Sequence, residues 1–309
     1  MTLSQLLLLL GAAVVVFWVA PCVVSTYMLF CGRHRPEAAM RKYYYLPFRE
    51  EMDRCIAFLS GLGGKRVSLR ADDGTPLSAV WYDRGGGKTV LMAHGFKASP
   101  MSNFCIAAKA FWDRGYNLLM IDQRAHGESG GYVCGFGLRE QYDLIRWVEW
   151  LEANTRTDAL AVYGISMGCA AMAYASDRLG PDRVRAMILD CGFYSPREQL
   201  ATVGRRLHVP WKIMMPSIRA LARLTLGLDL DTPVTDALSR TQIPAFFLHG
   251  AEDVTVDPED GRRNWAACAS EKEFILVPGA NHTMAFPVGG EALQRKLFAF
   301  LEQYMNTVN

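Results

Sequence analysis

The pattern of apolar and polar positions divides this 309-residue chain into two unlike parts. From Met1 to Gly32 no side chain is charged. The run from Leu6 to Val24, at about 1.5 Å per helical residue, is long enough to cross a hydrocarbon core of roughly 30 Å. The segment is expected to be an uncleaved transmembrane anchor. A cleaved signal peptide would need a positively charged start, a shorter apolar stretch and a small-residue cleavage site, and no Lys or Arg precedes the run. A lipoprotein signal fits less well still, because Cys22 follows Pro21 and Cys31 follows Phe30, where a small residue is wanted. Residues 33–65 are expected to form a juxtamembrane connector. It carries aromatic anchors at Tyr43, Tyr44 and Tyr45 and an amphipathic helix near Glu50 to Leu59.

After the connector the periodicity changes. Short β-rich runs alternate with helical patterns, the signature of a mostly parallel sheet covered by helices. Eight strands are expected: Val67 to Arg70, Leu77 to Asp83, Thr89 to Ala93, Asn117 to Asp122, Leu160 to Tyr163, Ala186 to Asp190, Ala245 to His249 and Glu273 to Val277. Asp73 and Gly74 between the first two suggest a hairpin. Helices are expected near Phe104 to Trp112, Leu138 to Leu151, Met167 to Leu179, Arg262 to Ala269 and Ala292 to Tyr304. In the last, Leu293, Leu297, Phe300, Leu301 and Tyr304 share one face. The connection from Gly192 to Thr241 is too long for this rhythm. Amphipathic segments around Arg205 to Leu226 make it a small helical cap, about residues 194–241, inserted after the sixth strand of a domain spanning 66–309.

Composition adds little to this picture and removes some classes. A net charge of +2 gives no reason to expect nucleic acid or a strongly acidic partner. The eight cysteines contain no CxxC pair and lie among apolar or small neighbours. Buried free thiols are therefore expected rather than a zinc site or a secreted disulfide framework, and no cofactor is implied. Arg33, His34, Arg35, Arg41 and Lys42 follow the apolar segment against Glu37 alone, which by the positive-inside rule places the downstream domain in the cytoplasm.

The candidate chemistry lies in Gly164-Ile165-Ser166-Met167-Gly168, a GxSxG run that leaves a buried strand and opens an Ala-rich helix. That setting is the one a nucleophile elbow requires. A serine hydroxyl becomes a competent nucleophile when an imidazole takes its proton and a carboxylate orients that imidazole. In such a fold the chain order is Ser, acid, His, which leaves His208, His249 and His282 as candidate bases. His208 lies in the cap and His249 closes a strand. His282 sits in the turn after the final strand and is the expected base. The loop after Ala245 to His249 offers Glu252, Asp253 and Asp257, of which Asp253 has the spacing that turns a carboxylate inward. The oxyanion requires two donors, expected from the backbone NH groups of Met167 and of Phe96 in the loop after the third strand. His94 is read as a structural hydrogen-bonding residue.

Together, His94-Gly95, the segment Asp122 to Ser129, Gly164 to Gly168, His249-Gly250 with Asp253, and Gly279 to His282 resemble the α/β-hydrolase superfamily in order and spacing. More narrowly, the chain is similar to bacterial membrane-tethered hydrolases of the serine aminopeptidase S33-like and FrsA-like groups. The resemblance implies an eight-stranded α/β-hydrolase sheet with a helical cap and hydrolysis of an ester, thioester or amide. It also implies that the Asp122 to Ser129 segment shapes a turn, with His126 structural.

The expected activity is a serine hydrolase acting by acyl transfer on a small-molecule or lipid-like acyl substrate. Trp211, Ile213, Met214, Met215, Ile218 and Leu221 of the cap are expected to roof an apolar acyl pocket. Arg205, Arg206, Lys212, Arg219 and Arg223 form either a lipid-facing or a solvated basic face. Two rivals stay open: a peptidase, which needs an acidic group near the pocket to hold an amine, with Asp229 and Asp231 the few candidates, and a non-catalytic membrane adaptor.

Overall fold

The computed structural model describes residues 2–33 and 43–306. The basic cluster from His34 to Lys42 used to orient the chain, and the side chains of Tyr43 and Tyr44, lie outside the described residues. The chain starts with two helical stretches, α1 (Leu3–Val14) and α2 (Ala20–Phe30), joined by a π-helical turn at Val15–Val19. Together they form one apolar rod, Leu3–Phe30, long enough by length and composition to cross a membrane.

The body then runs α3 (Arg49–Gly61), β1 (Lys65–Arg70), β2 (Pro76–Tyr82), β3 (Lys88–Ala93), α4 (Pro100–Asp113), β4 (Asn117–Asp122), α5 (Glu140–Asn154), β5 (Ala159–Ile165), α6 (Met167–Arg183) and β6 (Ala186–Asp190). It continues through α7 (Pro196–Arg206), α8 (Trp211–Leu226), α9 (Thr235–Leu238), β7 (Ala245–Gly250), α10 (Pro258–Ala267), β8 (Lys272–Val277) and α11 (Ala285–Met305). The strand order is β1-β2-β4-β3-β5-β6-β7-β8. β2 is antiparallel to both its neighbours and every other pair is parallel.

Both faces of the sheet are covered, so the central strands β3 to β7 bury nearly every position, and alternate residues feed opposite cores. Leu91, Leu119, Leu160 and Val162 pack with Trp147, Leu151 and Met172 on one side. Val90, Leu118, Ala161 and Tyr163 pack with Phe104, Phe111, Leu297 and Leu301 on the other. The amphipathic helix expected near Glu50 to Leu59 is present as α3, and its apolar face is part of this second core. Met52, Cys55 and Leu59 are buried there, spaced three and four apart. Tyr45, expected as an interfacial anchor, is likewise buried, because its ring has a protein surface to pack against.

The long connection after β6 is helical, as expected, and consists of α7, α8 and α9. The polar start of α7 is capped by the Ser195 side chain, which accepts from the Glu198 N–H, with Pro196 in the first turn. α8 ends at Gly227 in the left-handed conformation. It buries Met215, Ile218 and Ala222 and packs against α2, and Trp18 Nε1 in the preceding turn donates to Ser217 Oγ at 3.2 Å.

Candidate active site

Ser166 stands at the end of β5, one residue before α6 begins, with φ 54° and ψ −113°. A non-glycine residue in that region stores of order 1–3 kcal/mol of strain and persists only where the surroundings hold it. Here the Ser166 N–H donates to the Asp190 carbonyl at 2.9 Å, and the Ser166 carbonyl accepts from Ala170 N at 3.0 Å. The two flanking glycines are required by close approach. A Cβ on Gly168 would lie 1.9 Å from the Ala93 carbonyl oxygen, and one on Gly164 would lie 2.6 Å from Cys169 N.

The three residues read as nucleophile, acid and base are brought together. His282 Nε2 lies 3.1 Å from Ser166 Oγ, and His282 Nδ1 lies 2.7 Å from Asp253 Oδ2. With Nδ1–H donating to the carboxylate, Nε2 presents a lone pair to the hydroxyl. Asp253 follows β7, and its second oxygen accepts from Thr255 N at 2.8 Å and Val256 N at 2.9 Å. Burial alone would push this carboxyl up, but the adjoining His282 and His249 hold it well below the usual carboxylate range. Asp253 is thus an ionised, buried acceptor of fixed orientation. Of the alternatives, Glu252 accepts from Gly279 N and Asp257 caps α10, while His208 lies at the end of α7.

Phe96 and Met167 line the same cavity as Ser166 and His282. The neighbouring amides of the Phe96 loop are committed elsewhere. Gly95 N donates to Asn103 Oδ1 at 2.8 Å, and Lys97 N donates to His126 Nε2 at 3.0 Å. His126 Nδ1 is bonded to the Arg124 carbonyl at 2.9 Å, so both ring nitrogens are used in holding the loop. His94 is fully buried between the Gly95 carbonyl and Gln123 N, and burial pulls its pKa down to about 4.

Several residues stand at the site without having been assigned a place in it from the sequence. His249 Nε2 lies 3.4 Å from Asp253 Oδ2 and 3.2 Å from the Val256 carbonyl, so the acid is flanked by two imidazoles. Asp190, at the end of β6, accepts from the Tyr163 hydroxyl at 3.0 Å, and burial lifts its pKa to about 6. Tyr45 reaches the site from before α3, its hydroxyl 2.9 Å from Thr283 Oγ1. The chain order that points to Asp253 and His282 says nothing of such neighbours, because their places depend on packing between distant elements.

The cap corrects one expectation. The cavity at Ser166, about 220 Å³, is roofed by Gln199, Leu200 and Val203 of α7. Trp211, Ile213, Met214, Met215, Ile218 and Leu221 do not line it, because α8 turns its buried stripe toward the core and the N-terminal helix. Trp211 and Met215 instead line a separate cleft of about 490 Å³ between α7, α8 and α10, which shares no residue with the serine cavity. That larger cleft is lined by opposed charges, such as Arg263 and Glu198 at 2.7 Å, and contains none of the grouped nucleophile, base or acid. Arg219 of the basic set is paired with Asp231, and Arg223 lies 3.8 Å from Asp229.

Cys191, Asp253 and His282 place one ligand atom each within 4.8 Å of one another. They fit a metal poorly: the carboxylate and imidazole are spent on each other, and burial drives the Cys191 thiol well above its ordinary pKa, away from the thiolate a metal binds.

A doubly covered eight-stranded sheet with one antiparallel strand, and a strained serine between β5 and α6, define the α/β-hydrolase fold. A family profile described as alpha/beta hydrolase fold matches residues 88–211. The chain is 28% identical over 269 residues to the uncharacterized protein Rv2307c of Mycobacterium tuberculosis, covering 85% of this chain and 87% of that one. It is 24% identical over 218 residues to the uncharacterized protein YqkD of Bacillus subtilis, covering 69% and 71%. Among solved structures, the esterase Pf2001 of Pyrococcus furiosus superposes with a TM-score of 0.64 at 23% identity, covering 79% of this chain and 92% of that one. The chain has the α/β-hydrolase fold.

Proposed function

We propose that this chain is a serine hydrolase that cleaves a carboxylic ester or thioester. The observation that carries the reading is the continuous hydrogen-bonded path from Ser166 Oγ through His282 to Asp253. Ser166 Oγ attacks the substrate carbonyl carbon while His282 Nε2 takes the hydroxyl proton, and Asp253 stabilises the imidazolium. The NH groups of Met167 and Phe96 receive the negative charge on the carbonyl oxygen. As the bond to the leaving group breaks, His282 gives it the proton. Water then attacks the acyl-enzyme, its proton passing through His282 back to Ser166 Oγ, and the acid departs.

An ester or thioester is favoured over a peptide with a free amine by the lining of the cavity. Among the described residues that form it there is no carboxylate, and Asp231 is bound to Arg197 and Arg219. The similarity to a structure described as an esterase points the same way. The N-terminal rod is proposed as a membrane anchor, on its length and the exposed apolar surface of all but the buried stripe at its C-terminal end. The test is fluorophosphonate labelling of the full-length chain in membranes together with nitrophenyl ester turnover. Ser166→Ala should lose both, and equal labelling of that variant would overturn the assignment.

A further inference from the structure

The cavity at Ser166 is not closed by the catalytic body alone. Leu29, from the last turn of the apolar N-terminal helix, is one of its lining residues, together with Phe136, Phe193 and Leu200. A helix acting only as a tether would not contribute here, and the backbone around Leu29 is pinned. Phe30 is fully buried, with its ring 5.3 Å from that of Phe136. The Phe30 carbonyl accepts from Cys134 N at 2.7 Å, Gly32 N donates to the Tyr132 carbonyl at 2.8 Å, and Cys31 bridges to Val133 in antiparallel fashion. Cys22, Thr26 and Phe30, spaced four apart, are the buried stripe of α2. Leu29 lies at the edge of that stripe and is half-buried, whereas Met28 beside it is 68% exposed.

We propose that Leu29 is a specificity-determining residue: it forms the apolar wall that limits the length of acyl group the site accepts, so the N-terminal helix belongs to the substrate pocket. The inference rests on Ser166 being the nucleophile. A cavity of about 220 Å³ is smaller than the range of roughly 300–1,000 Å³ that encloses a drug-sized ligand, so the position of one wall decides whether a longer chain fits. The acyl group meets Phe136, Phe193, Leu200 and Leu29, all apolar.

The experiment uses the full-length protein in detergent micelles, with nitrophenyl esters from acetyl to decanoyl and alkyl fluorophosphonates of matching lengths. The quantity read is the ratio of kcat/KM for the decanoyl ester to that for the acetyl ester. Leu29→Trp should lower this ratio about tenfold or more, and Leu29→Ala should raise it, since a few methylenes in an apolar pocket discriminate on that scale. Met28→Trp, on the exposed side, should keep the wild-type ratio. Should Leu29→Trp fold poorly, Leu29→Ala still reads the same wall. An unchanged ratio in the Leu29 variants, or an equal change in Met28→Trp, would overturn the role of Leu29 while probe-labelled Ser166 kept the hydrolase reading intact. Failure of every fluorophosphonate to label Ser166 would remove the hydrolase reading itself, and this inference with it.

Discussion

Replacing His282 and His126 by alanine, one at a time, separates a reacting imidazole from one that only holds a loop. His282 lies between Ser166 Oγ and Asp253, at 3.1 and 2.7 Å, and its loss leaves the hydroxyl with no proton acceptor. Losing the base of such a triad typically costs about 10⁴- to 10⁶-fold in kcat, or roughly 5–8 kcal/mol of barrier at about 1.4 kcal/mol per decade. Stability should change little, because Asp253 keeps its bonds from Thr255 N and Val256 N. His126 is buried and bonded at both nitrogens, to Lys97 N and to the Arg124 carbonyl. Its removal forfeits two hydrogen bonds of about 1 kcal/mol each and leaves their partners to find water. Lys97 also has φ 54°, a conformation the bond to His126 helps to hold. A loss of about 2–4 kcal/mol follows, which for a domain of this size lowers Tm by roughly 5–10 °C. The kcat should stay within about tenfold of wild type. The assay pairs kcat on an activated ester with the thermal midpoint of each protein. A stable but inactive His126→Ala beside an active His282→Ala would refute the reasoning and remove the role of Asp253 too.

Three further outcomes follow from the same structure. Arg124, buried and bonded through two nitrogens to Asp143, should cost about 3–5 kcal/mol when replaced by alanine, because Asp143 is left as an uncompensated buried charge; chemical denaturation checks this, and a loss under 1 kcal/mol would contradict it. His94 is held near pKa 4 against an ordinary 6.5, so the unfolded chain binds more protons between these values. Stability from this group is therefore complete above about pH 6.5 and falls as the pH drops toward 4, by at most about 3 kcal/mol. The difference in Tm between wild type and His94→Asn should shrink across that window, whereas a constant difference would count against it, and the comparison cancels the opposite trend of Asp190. Alkaline carbonate should leave the full-length chain in the membrane pellet, and its appearance in the supernatant would defeat the anchor.

The parts of the fold set by local pattern were legible in the sequence. Each expected strand overlaps an observed one, because the alternation of buried runs with helical faces is written residue by residue. The Gly164 to Gly168 turn could be read the same way, since close approach and strain at Ser166 select glycine on either side. Asp253 and His282 followed from chain order, which is a property of the topology. What escaped notice depends on elements meeting at a distance. α8 is as amphipathic as a roof should be, but the partner of its apolar stripe is the core and the N-terminal rod, a choice that only packing makes. Tyr45 reads equally well as an interfacial anchor or a buried ring. Leu29 is one of many apolar residues in an uncharged helix, and nothing local distinguishes it from Met28.

The absence of a side chain at Gly168 places α6 in hard contact with the end of β3, where even a methyl group would overlap the Ala93 carbonyl. Ser166 and the loop carrying Phe96 are therefore spaced by repulsion between backbones, which is stiff, in addition to the hydrogen bonds that hold the loop, which yield by tenths of an ångström. Thermal motion cannot easily widen the gap between Ser166 and the Phe96 loop. The freedom needed to admit a substrate and release a product must come from the opposite wall. There α7 presents Gln199, Leu200 and Val203 from an insertion that lies outside the sheet. The site thus behaves as a rigid jaw facing a compliant one, and changes in turnover with temperature or viscosity should trace to the cap.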